Sequence, residues 1–137
     1  MVNVFLMPRK RAMFVQYNPN PVAMHRVSDC AVRAISKVLN IDWETAYAKL
    51  CMNGYLMGDM PNANSVIASV LRQNGFKRMN LKADCPECYT IKDFCREYNK
   101  GTYLVGTGAH VVAVVNGNYF DSWDSGDESV AYAWVLS

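Results

Sequence analysis

GTYLVGTGAHVVAVVNGNYFDSWD, residues 101–124, is the stretch that decides the fold. Residues 102–105 and 110–115 are rich in β-branched side chains, which suit a pleated surface better than a helix. Asn116-Gly117 follows, the strongest short-range hairpin signal a sequence offers. Residues 118–123 form the returning strand, and 130–135 (VAYAWV) supply another. Upstream of Gly101 the apolar period is helical instead. Ala31, Ala34, Ile35 and Val38 recur at helical spacing in a helix over about 28–39, with Ser28 or Asp29 as its cap. A second helix opens at Asp42 and carries Trp43, Ala46, Tyr47, Leu50 and Cys51. A third covers roughly 62–74, with Ala63, Ile67, Val70 and Leu71 inward and Gly75 as a stop. A fourth starts from the capping sequence Thr90-Ile91-Lys92-Asp93, shares a face of Ile91, Phe94, Cys95 and Tyr98, and ends at Gly101. Residues 12–17 have strand composition and are broken by Asn18-Pro19-Asn20-Pro21. Helices followed by an antiparallel meander predict the α+β class.

The 137 residues make one domain, with a helical part over about 28–100, a sheet over about 101–137, and an N-terminal segment 1–27 packed on the sheet or a cleft. A 51% apolar composition excludes a disordered chain. The net charge of +2 implies no nucleic-acid partner, and no apolar run is long enough to span a bilayer. Near the start a short apolar stretch precedes Arg9-Lys10-Arg11, the reverse of a secretory signal, so a cytoplasmic location is expected. Five cysteines cannot all pair within one chain, and free thiols are expected.

Cys30 stands out because it falls in the first turn of an amphipathic helix, where unpaired N–H groups and the helix dipole favour a thiolate. The alternative is a buried cysteine near a cap, as Cys51 and Cys95 read on their apolar faces. A thiol nucleophile needs a base, and a base needs an orienting group. His110 opens a strand after the small residues Gly108-Ala109. With Asn116-Gly117 as a two-residue loop, Val115 faces Asn118 and Asp121 lies opposite Val112, on the face of His110 and diagonal to it. Sliding that turn by one residue keeps the face. A three-residue loop would reverse the choice and favour Asp124. Taken singly, His110 reads equally as a satisfied strand histidine and Asp121 as a hydrated loop carboxylate.

A cysteine at the start of an N-terminal helix (Ser28-Asp29-Cys30-Ala31-Val32-Arg33-Ala34-Ile35), a strand histidine after a small residue (Gly108-Ala109-His110-Val111-Val112), then a carboxylate on the next strand (Tyr119-Phe120-Asp121-Ser122-Trp123-Asp124) resembles the papain-like cysteine peptidases. The chain is most similar to the small bacterial and phage-encoded members, related in fold to the bacteriocin-leader peptidases. The resemblance implies N-terminal helices packed on a C-terminal antiparallel sheet, and a peptidase or related amide or isopeptide hydrolase acting on a peptide or protein. Cys30 would attack, His110 would shuttle the proton, Asp121 would hold the imidazole, and no metal or cofactor is implied. The oxyanion would be met by the Cys30 N–H and one side-chain amide. The sequence departs from the family here: Met24 stands where a glutamine is usual. Gln16, Asn18 and Asn20 are the amides to hand. Asn18, brought back by the proline turn, is the candidate, against the plainer reading of a turn asparagine; His25 is a further donor.

Two other readings compete. A papain-like shell without catalysis would be a binding module of the kind a phage encodes, and the missing glutamine motivates that reading. Cys85-Pro86-Glu87-Cys88 suggests a small zinc-binding adaptor, yet it is a single pair with no neighbouring histidine, and incidental loop thiols explain it as well. Asp121, Asp124, Asp127 and Glu128 lack calcium-loop spacing, and the Arg9–Arg11 and Lys77–Lys82 clusters are short for a nucleic-acid surface.

Overall fold

The hairpin forms as its turn residues require. Asn116 and Gly117 take φ of 51° and 79°, the pair of left-handed residues of a type I′ turn. Val115 therefore pairs with Asn118, Val114 with Tyr119 and Ala113 with Phe120, the expected two-residue register. The computed structural model describes residues 12–23, 25–81 and 88–137. Its elements in order are β1 (Met13–Gln16), α1 (Cys30–Leu39), α2 (Trp43–Met57), α3 (Asn64–Gln73), β2 (Phe76–Arg78), α4 (Ile91–Glu97), β3 (Thr102–Gly106), β4 (Val111–Val115), β5 (Asn118–Asp121) and β6 (Tyr132–Leu136).

The six strands form one sheet in the order β1-β5-β4-β3-β6-β2. Strands β3, β4 and β5 form the expected antiparallel meander, but β6 returns to pair antiparallel with β3 instead of following β5, and β1 pairs parallel to β5, with Gln16 beside Asp121. The sheet is thus mixed, which corrects the purely antiparallel expectation. A strand that returns to its partner through helices is free to run parallel, whereas a tight turn is not. The second correction is β2, a three-residue strand inside the part expected to be helical, which pairs with β6 at the opposite edge. Its length is too short for a period to show. β1, the strand expected from residues 12–17, and β2 are the two edges of the sheet. Of the N-terminal segment, β1 packs at the sheet edge, while residues 1–11 and 24 lie outside the described residues.

Strand alternation gives the sheet two apolar faces, and helices cover both. Leu104, Val111, Ala113 and Trp134 meet Ile35, Leu50, Ile67 and Leu71 from α1, α2 and α3. Tyr103, Val105, Val112, Val114 and Ala133 meet Ile91, Phe94 and Cys95 of α4. The helices are therefore divided between the faces rather than stacked on one. Helix α1 lies deepest, with Ala31, Ala34, Ile35 and Val38 buried as their spacing predicts. Asp42 caps α2 by accepting the Thr45 N–H at 2.7 Å, and Thr90 and Asp93 cap α4 reciprocally. Among the described residues, no helix is long and apolar enough to cross a membrane.

Candidate functional site

Helix α1 begins at Cys30, β4 begins at Val111 directly after His110, and β5 ends at Asp121. The three residues singled out in the sequence meet where these elements terminate. His110 Nε2 lies 2.5 Å from Asp121 Oδ2. The opposite side of the ring, with Nδ1, is left for Cys30, whose thiol is hydrogen-bonded to His110. The thiol also accepts the Val111 N–H. Asp121 is 2% exposed and the His110 side chain 13%, so the pair works in a poorly hydrated setting.

The Asp121 carboxylate is saturated. Its Oδ2 accepts from Ser125 Oγ at 2.6 Å as well as facing His110, and its Oδ1 accepts the Ser122 N–H at 2.7 Å and Arg33 Nη2 at 3.1 Å. Burial opposes its ionisation, but the His110 and Ser125 hydrogen bonds and the imidazole charge hold its pKa below the usual value. Burial likewise pulls the His110 pKa down, while the hydrogen bonds and negative charges of Asp121 and Cys30 raise it to about 9. For Cys30, burial pushes the thiol up. The His110 hydrogen bond, the Val111 N–H and the charges of His110 and Arg33 outweigh that, and its pKa is lowered. The two shifts agree in sense: each favours a thiolate beside an imidazolium. Such a pair can act as a nucleophile with an adjacent proton donor.

Asp29 stands at the N-cap of α1 but its side chain caps no amide there, contrary to the expected capping role. Its carboxylate is drawn to Arg33 instead, and also accepts from Trp43 Nε1 at 3.0 Å and Asn20 Nδ2 at 3.3 Å. The first-turn N–H groups of α1 are thereby left without a side-chain cap. Trp123 leans against the His110 ring, with centroids 5.0 Å apart, and Arg26 sits over the indole at 5.4 Å.

Two hollows flank Cys30, and Ala109 and His110 line both. One of about 270 Å³ is bounded by Arg26, Val27, Ser28, Ser122 and Trp123; the other, about 160 Å³, by Asn62, Asn64, Thr107, Gly108 and Tyr132. Asn18 lines neither. It faces a neighbouring hollow of about 420 Å³ with His25, and its Oδ1 accepts the Asn20 N–H at 3.3 Å, which is the turn role. Gln16 donates to the Ser122 carbonyl at 3.1 Å, and Asn20 is held by Asp29. The structure therefore brings Cys30, His110 and Asp121 together and leaves Asn18 outside. Arg33 was missed in the sequence. Its spacing of four residues from Asp29 on a helix was readable as an ion pair, but its bond to Asp121 spans 88 positions and was not.

The cysteines differ in state. Cys30, Cys51 and Cys95 are free thiols, and burial raises the Cys95 pKa to about 12. Cys88 is disulfide-bonded, which corrects the expectation of thiols throughout; Cys85 lies outside the described residues. Among the described residues no group of three or more His, Cys, Asp or Glu side chains is gathered as a metal site. Compared with known proteins, the chain matches no family model, no curated protein and no solved structure.

Proposed function

We propose that this chain is a papain-like thiol hydrolase, a cysteine peptidase or a related amide or isopeptide hydrolase. One observation carries the reading: the His110 imidazole is held between the Cys30 thiol and the buried Asp121 carboxylate. In this reading Cys30 Sγ attacks the carbonyl carbon and forms a C–S bond. The carbonyl oxygen takes the electron pair and is met by the Cys30 N–H at the uncapped end of α1. His110 gives its proton to the departing nitrogen as the C–N bond breaks, leaving an acyl thioester. Water then gives a proton to His110, attacks the thioester and releases the acid with the thiol. Asp121 keeps the imidazole in orientation throughout. The hollows on both sides of Cys30 suit a peptide or protein segment laid across it.

The test uses an alkylating activity probe on wild type and Cys30→Ala. Labelling of wild type at Cys30 well below pH 7, absent in the variant, is the expected result. Equal labelling of both proteins would remove Cys30 as the nucleophile.

The second reading, a papain-like binding module without catalysis, is favoured by Asn18 being turned away from Cys30. An idle thiol would react only as pH approaches about 8.5. Reactivity confined to that range would support the module and count against the hydrolase.

A further inference from the structure

We infer that Arg33 is a positioning residue: placed one turn beyond Cys30 on α1, it locks the Asp121 carboxylate of β5 into the orientation that faces His110. The inference rests on the thiol-hydrolase reading for its purpose, and on the geometry below for its substance.

Arg33 is 5% exposed and spans two buried carboxylates. Its Nη1 binds Asp29 Oδ1 and its Nη2 binds Asp121 Oδ1. Asp29 is in turn pinned by the Trp43 indole and the Asn20 amide, so the guanidinium is fixed from its far side. With Oδ1 of Asp121 taken by Arg33 and the Ser122 N–H, the carboxylate presents Oδ2 to His110 and cannot rotate without breaking several bonds. A planar fork is the group that can hold two carboxylates at once; an ammonium is a point charge with no such geometry. The arrangement also ties the helix bearing the nucleophile to the strand bearing the orienting carboxylate. The bridging contact lies beside the reacting atoms and needs no substrate.

Charge balance explains why Asp29 belongs to the device. A lone cation against Asp121 would weaken that carboxylate's hold on an imidazolium, and Asp29 offsets it. Among the described residues, the charged or titratable groups around this cluster are Asp29 before α1, Arg33 on α1, His110 before β4 and Asp121 on β5, with Tyr132 of β6 facing Cys30 and Arg26 lining the hollow that Cys30, Arg33 and His110 share. The positive charge of Arg33 also favours the Cys30 thiolate, so a purely electrostatic role has to be separated from positioning.

The experiment follows iodoacetamide alkylation of Cys30 across pH in the full chain, comparing wild type, Arg33→Lys and Arg33→Met. Peptide mapping tracks Cys51 and Cys95 in parallel, and thermal unfolding confirms that each protein is folded. Imidazole proton resonances report the short His110–Asp121 bond. For wild type the expected result is Cys30 alkylation below the ordinary thiol range and a bonded imidazole proton far downfield. The inference expects Arg33→Lys to lose about tenfold in rate at pH 6, equivalent to one unit in the apparent thiol pKa. It also expects the downfield resonance to move, because the lysine keeps the charge but not the fork. Arg33→Met behaves the same way or more severely. If Arg33→Lys matches wild type in both readouts, the positioning role is overturned. Should Arg33→Met fail to fold, the lysine variant decides alone. Should both variants fail to fold, Asp29→Asn, which leaves Arg33 in place but unpins it, supplies the same comparison. A wild-type Cys30 that reacts only as an ordinary thiol would instead defeat the hydrolase reading, a different result from wild-type-like variants.

Discussion

At the scale of single residues, the site is a problem in where two protons reside. The lowered Cys30 pKa and the His110 pKa of about 9 enclose a window in which thiolate and imidazolium coexist. Below it the thiol is protonated, and above about pH 9 the imidazolium is lost. Replacing the histidine by His110→Gln removes both the hydrogen bond and the charge, and Cys30 then titrates towards the free-thiol value of about 8.5. Alkylation rates measured from pH 5 to pH 10 check this; a variant profile that overlies wild type would contradict it. Linkage gives the sign for stability. The His110 pKa is raised in the folded state, so its contribution is complete below about 6.5 and fades as pH rises through about 9. Cys30 behaves oppositely: its contribution is present above the unfolded thiol value and is lost as pH falls through the lowered one. In urea unfolding the imidazolium part of the wild-type advantage over His110→Gln therefore shrinks as the pH is taken through about 9, while the Cys30 thiolate part persists. Asp121 carries the larger structural cost. Asp121→Ala strands Arg33 beside a single carboxylate and removes the partner of His110, and loss of one member of a buried pair costs about 3–5 kcal/mol. A loss under about 1 kcal/mol in the free energy of urea unfolding would mean water reaches the cluster, as at exposed pairs.

At the scale of elements, ends matter more than middles. Thr90 Oγ1 accepts the Asp93 N–H at 3.2 Å while Asp93 Oδ2 accepts the Thr90 N–H at 3.0 Å, closing a box at the start of α4. Thr90→Ala should cost about 1 kcal/mol, as other lost caps do, and leave Cys30 alkylation untouched because the bonds it removes run between Thr90 and Asp93. Circular dichroism melts alongside the alkylation rate test both halves. That cap was legible because its residues are three apart, and the Asn116-Gly117 turn because it needs two left-handed residues side by side. The hairpin register followed, and with it the pairing of His110 with Asp121. What was not legible depends on distant partners. The strand β1 was legible in the composition of residues 12–17 but its parallel pairing with β5 was not, and β2, three residues long, carries too little period to announce itself before it meets β6. Asp29 reads as a cap until Arg33, Trp43 and Asn20 are seen competing for its carboxylate. Asn18 reads as free to turn back to Cys30 until its Oδ1 is found closing its own turn.

At the scale of the whole molecule, the sheet separates two apolar cores that bear differently on the site. The α1–α3 side holds Cys30 and Arg33, while Ser125, which donates to Asp121, belongs to the loop whose Gly126 and Glu128 carbonyls accept the Lys92 and Ile91 N–H groups at the start of α4. Ile35 on α1 and Phe94 on α4 are both 0% exposed, so each truncation leaves a cavity. Ile35→Ala should cost about 2–5 kcal/mol and Phe94→Ala about 3–5 kcal/mol. The stability losses overlap, yet the consequences for Cys30 differ. A cavity under α1 lets that helix settle relative to β4, and the thiol, the Val111 N–H and the Arg33 bridge all depend on that seating. A cavity under α4 relaxes among Tyr98 and Tyr103, whose rings pack on Phe94 at 4.7 and 5.2 Å, and leaves the opposite face of the sheet in place. Measured below each variant's own unfolding transition, Cys30 alkylation at pH 6 should fall in Ile35→Ala and hold at the wild-type rate in Phe94→Ala. Equal slowing in both would mean that the sheet transmits strain between its faces, and that the two cores act on the site as one.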